Sequence, residues 1–171
     1  DLHHEIQERA NEEGGSHLTR IAFTTALIAA LAAITGYLAG ERADEALVDQ
    51  IHAADHWSYY QAKSIKSSVL SAKIDTLRIL SGKPTAPADV EKIARYEQEM
   101  EEIRKQAEEK QAEATHRLAQ RTLLATGVTL FQISIAIGAI SAITRKESLW
   151  YGSLLFGAGG LIILLKEVFL S

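Results

Sequence analysis

Three stretches of this chain carry no charged side chain: Ile21 to Gly40, Thr122 to Thr144 and Leu149 to Leu165. Each approaches the roughly 20 apolar residues that a helix needs to cross the hydrocarbon of a bilayer. The pattern therefore predicts transmembrane helices over 20–40, 122–144 and 149–168. Between the first two lies a charged region, 41–121, whose helical periodicity is interrupted at "SGKPTAP". There Gly82 suits a helix C-cap and Pro84 and Pro87 bar continuation, so 81–87 is predicted as a turn. The expected fold is an all-α membrane protein. Three transmembrane helices carry a long antiparallel helical hairpin, a coiled-coil-like stalk, between the first and second. At 1.5 Å per residue the stalk reaches about 60 Å.

The charges set a register for this hairpin. Its first helix is acidic near the membrane (Glu41, Asp44, Glu45, Asp49) and basic near the turn (Lys63, Lys66, Lys73, Arg78). A turn centred near Pro84 sets the acids against Arg117 and Arg121, and the lysines against Glu97, Glu99, Glu101 and Glu102. Ahead of the first span, 1–19 reads as a short surface segment stopped by Gly14 and Gly15. The "TRKES" turn, Thr144 to Ser148, joins the last two spans as antiparallel neighbours.

On a helical wheel the first stalk helix collects Leu47, Ile51, Ala54, Ser58, Ala62, Ile65, Val69, Ala72, Thr76 and Leu80 into one stripe. The second offers Val90, Ile93, Met100, Ile103, Ala107, Ala114 and Leu118. These two stripes are expected to close the hairpin. Trp57, Tyr60, Ser64, Ser67, Ser68 and Ser71, with Ala46 and Ala53, then form a second face that the hairpin does not bury. Trp57 lies about 25 Å past the membrane end of the helix at 1.5 Å per residue, too far for an interfacial aromatic belt. Small residues permit close helix approach, and Trp and Tyr commonly anchor protein contacts. The face, Tyr59 included, is therefore expected to be an interface between subunits, most simply a homo-oligomer formed through the first long helix. In the spans, Gly36 and Gly40, Ser134 and Gly138, and Gly157 sit at small-residue spacings that suit close packing in lipid.

Composition removes several classes of chemistry. The absence of cysteine excludes disulfides, thiolate catalysis and cysteine-ligated metals. A net charge of -4 without a basic, aromatic-interleaved cluster gives no footprint for nucleic acid. No phosphate-binding loop, dinucleotide fingerprint or hydrolase motif occurs, so neither a catalytic residue nor a cofactor is assigned. The candidate metal ligands are Asp49, His52 and His56, at helical spacing, with His116 at a similar height on the second helix. Their wheel positions point away from the expected seam, so solvated or hydrogen-bonded histidines are the simpler reading. No ionisable group interrupts the spans, unlike the pathways of proton-coupled carriers. Lys166 and Glu167, at the end of the last span, are expected to snorkel outward.

The stretch "WSYYQAKSIKSS" follows an Ala-rich span and "GERADEAL". In Trp57, Tyr59, Tyr60, Gln61, Ala62, Lys63 and Lys66, and in its layout of one span, a long helical region and two further spans, the chain resembles a bacterial membrane-protein family, domain of unknown function 4337. The resemblance implies a multi-pass location in the bacterial inner (plasma) membrane and carries no activity. The expected function is a non-enzymatic, self-associating membrane scaffold with lipid and its own copies as partners. The alternatives are an accessory subunit of a larger membrane complex, a pore lined by Thr24, Thr25, Thr35 and Gln132, or a metal-binding enzyme or sensor.

Overall fold

The computed structural model of the chain describes the backbone of residues 2–170 apart from 83 and 85, and the side chains of 15, 18–80, 82, 84 and 86–169. Among the described residues it is wholly helical: α1 spans Leu2–Ser81, α2 Pro87–Thr144 and α3 Glu147–Leu170. Each contains a segment long and apolar enough to cross a membrane.

α1 passes through Gly14 and Gly15, where a stop was expected. A glycine inside a helix costs about 1 kcal/mol relative to alanine but blocks nothing. A true stop needs a left-handed residue and a bonded end. Both occur at Gly82, which has φ 62° and donates its N–H to the Arg78 carbonyl at 3.1 Å. α2 begins at Pro87, whose fixed φ and missing N–H suit the first helical position. The Ala86 carbonyl accepts from the Asp89 and Val90 N–H groups at 3.0 and 3.4 Å. Between α2 and α3 the turn is reduced to Arg145 and Lys146. Arg145 takes φ 54°, and the Ser141 hydroxyl donates to the Lys146 carbonyl at 2.9 Å.

The chain forms two compact units. The first comprises Asp1–Ala43 and Leu118–Ser171. Its contacts run Thr25 to Gly138 and Thr35 to Gly127 between α1 and α2, and Thr24 to Trp150 and Arg42 to Glu167 between α1 and α3. In this unit α1 is therefore antiparallel to α2 and parallel to α3. Its interior combines Ile28, Leu124, Phe131 and Leu164 with Thr35, Ser134, Ser141 and Ser153. Phe23, Leu27, Ile34, Tyr37, Ile143, Leu155, Ile162 and Phe169 face outward. Hydroxylated side chains thus share the interior with a few large apolar ones, while many large apolar side chains lie outside.

The second unit, Asp44–Arg117, pairs the latter half of α1 with the first half of α2. The two segments are antiparallel. Glu45 meets Arg117, Trp57 meets Gln111 and Lys63 meets Glu99, and the midpoints of these pairs fall at or close to the turn.

Candidate functional site

The second unit holds the residues that sequence reasoning singled out, and it uses them in an unexpected rotation. α2 presents the expected stripe, with Ile103, Ala107 and Ala114 buried. α1 presents Ala46, Asp49, Ala53 and Ser67, all buried, with Trp57, Tyr60, Ser64 and Ser71 partly covered. The stripe expected to close the hairpin is open instead: Leu47 is 56% exposed, Ile51 52%, and Ile65 and Val69 64% each. At 3.6 residues per turn it runs along the side of α1 opposite the face that meets α2.

Two physical reasons favour this rotation. Ala46, Ala53 and Ser67 on α1, with Ala107 and Ala114 on α2, let the backbones come close, which bulky Leu and Ile at the seam would prevent. The charges also find partners in this rotation. Asp49 Oδ2 lies 2.8 Å from Arg117 Nε, and its Oδ1 lies 3.6 Å from Lys110 Nζ. Arg117 also pairs with Glu45, and Lys110 with Glu113 at 2.6 Å.

The aromatic cluster sits beside this seam. The Trp57 indole N–H donates to Gln111 Oε1 at 3.4 Å, and its ring meets Tyr60 edge to face at 5.7 Å. Lys63 bonds Glu99 and lies 5.5 Å from the centre of the Tyr59 ring and 5.2 Å from that of Tyr96, within cation–π reach. Hydrogen bonding to Glu99 raises the Lys63 pKa above its ordinary value, and the same bond lowers that of Glu99. Tyr59 and Ser68 remain exposed. The premise that one chain leaves this whole face bare is thus corrected, because α2 covers most of it.

The match to known families comes from the whole layout. The family model described as Domain of unknown function (DUF4337) matches residues 17–170. The chain belongs to this family. No curated protein and no solved structure matches it. The matched region of this DUF4337 chain takes in all three apolar segments and the helix pair between them.

The candidate metal ligands are not brought together. Asp49 is committed to Arg117 and Lys110, His52 and His116 are exposed, and among the described residues no three His, Cys, Asp or Glu side chains converge. The residues considered for a pore also diverge. Thr35 is buried and donates to the Leu31 carbonyl at 2.7 Å, Thr24 accepts from the Trp150 indole at 3.2 Å, and Gln132 is exposed.

In the first unit the small residues make tight contacts within the chain. Ser134 and Ser153 donate to each other's carbonyls at 2.6 and 2.9 Å, a reciprocal clamp between α2 and α3. A side chain at Gly138 would begin 3.0 Å from Thr25 Oγ1, and one at Gly157 3.1 Å from Ile28 Cδ1. Gly36 is only loosely approached, at 4.0 Å by Val128, and Gly40 has nothing within 4 Å. Sequence reasoning passed over Gly127, set against Ile163 and Thr35, and gave Gly160 no specific partner, although it faces Phe131. Both lack a neighbouring small residue in a strict four-residue frame. It also misplaced Glu167, which turns inward: it is 8% exposed and lies 3.4 Å from Arg42 Nε. Arg42, carried on the parallel α1, offers the buried carboxylate a charged partner that offsets part of its desolvation.

Proposed function

We propose that this DUF4337 chain is an integral, multi-pass protein of the bacterial inner membrane that acts as a self-associating scaffold rather than as an enzyme. The carrying observation is that both units keep large apolar side chains on the outside. For the first unit, lipid is a sufficient cover. The second unit carries inter-helix ion pairs and a charged surface, and there another protein surface is the cover that suits a long apolar row. The helix pair then carries the surface through which copies associate.

The test is the protein mass of the complex in mild detergent, with bound detergent subtracted. More than one copy per particle is expected. A strict monomer at all protein concentrations contradicts the reading. An accessory subunit of a larger membrane complex is the second reading, favoured by the same exposed row. Native purification with identification of co-eluting proteins separates the two.

A further inference from the structure

We infer that the self-association proposed above is made by the outward row of α1, and that two copies cross face to face at Ser58. This deepens that reading and rests on it. From Leu47 to Val69 the row is symmetrical about Ser58. Ala54 and Ala62 lie four residues to either side, Ile51 and Ile65 seven, and Leu47 and Val69 eleven. All seven are exposed. Two helices related by a twofold axis are closest at their crossing point and separate on either side of it. Small side chains at the centre and larger ones outward fill that space. A row graded in this way about one point suits a close crossing there.

Three further features fit a second copy. The only hydroxyls in the row are satisfied within α1: Ser58 donates to the Ala54 carbonyl at 2.9 Å and Thr76 to the Ala72 carbonyl at 2.7 Å. Covering them strands no donor. The two flanks of the row differ in charge. By helix geometry Asp44, Asp55, Lys66 and Lys73 line one side, and Gln50, Gln61, Ser68 and Asp75 the other. A twofold axis running along the pair sets each copy's first flank against the second flank of its partner, which brings Lys73 to the height of Asp75 and sets no like charges together. Both copies also keep the same direction, as roots in one membrane require. From Leu47 to Val69 the row is about 33 Å long and about 10 Å wide. Two copies would cover about 700 Å² together, a weak contact by itself that suits copies already held side by side in one membrane.

The cysteine-free chain makes the test clean. Single variants Ala54→Cys, Ser58→Cys and Ala62→Cys, with Glu108→Cys on the exposed side of α2 as control, are oxidised mildly in detergent and in membranes. Covalent dimer is expected at the three row positions, strongest at Ser58→Cys, because a disulfide needs Cβ atoms about 4 Å apart. Ile65→Asp, at a site 64% exposed and so harmless to the fold, is expected to lower the dimer yield of Ser58→Cys at least about tenfold. An oligomeric mass with no dimer at the row, or with equal dimer at Glu108→Cys, overturns this seam and leaves self-association standing. A monomeric mass overturns both.

Discussion

Replacing Gly160 by alanine is expected to destabilise the three-helix unit by about 1–3 kcal/mol. The new Cβ would lie 2.8 Å from Phe131 Cε1 and 2.9 Å from Cδ1. Phe131 is fully buried, so its ring has no free space to turn into. Helix propensity alone favours alanine over glycine by about 1 kcal/mol, so the clash reverses the sign that propensity gives. Gly152 is the matched control, because nothing lies within 4 Å of an added Cβ there. Gly152→Ala is expected to be neutral or slightly stabilising. Unfolding in detergent, followed by circular dichroism, measures both. Adding Phe131→Leu to Gly160→Ala removes the ring edge and recovers part of the loss. If Gly160→Ala melts with or above the parent, α2 and α3 do not pack at this distance.

Ala107→Leu is expected to open the helix pair of the second unit, again at a cost of about 1–3 kcal/mol or more. Ala107 is 0% exposed and sits on the buried stripe of α2 with Ile103 and Ala114. A leucine there forces the backbones apart and weakens every contact that depends on their closeness, including Trp57 with Gln111 and Asp49 with Arg117. In a Trp150→Phe background the emission of Trp57 reports the opening as a red shift. Ala62→Leu supplies the contrast, because Ala62 lies on the outward row of α1. It is expected to leave Trp57 emission unchanged. A red shift in Ala62→Leu and none in Ala107→Leu would reverse the assignment of faces.

Much of the architecture was legible because its signals are one-dimensional. The charge-free stretches give the apolar segments, Gly82 and Pro87 give the turn, and the segregation of acids from bases along each stalk helix gives the pairing of Glu45 with Arg117 and Lys63 with Glu99. The rotation of α1 was misread because the most hydrophobic row was assigned to the inside by default. The charge register already contained the answer: Glu45, Asp49 and Lys63 lie on the half of α1 away from Leu47 and Val69, so a pairing that satisfies them turns that row outward. Two demands on one helix were incompatible, and the one carrying charges won. The partners of Gly160 and Glu167 were not legible for a different reason. Each depends on which neighbouring helix arrives opposite it, here Phe131 on α2 and Arg42 on α1, and no local pattern encodes that.

The face assignment underlies both the scaffold reading and the crossing at Ser58, and it can be measured directly by maleimide labelling of single-cysteine variants over a range of protein concentrations. Ser67→Cys is expected to react slowly at every dilution, because Ser67 is covered by its own chain. Val69→Cys is expected to react slowly only at high concentration and to open on dilution as copies separate. Fast labelling at Ser67→Cys together with slow, concentration-independent labelling at Val69→Cys would contradict the account.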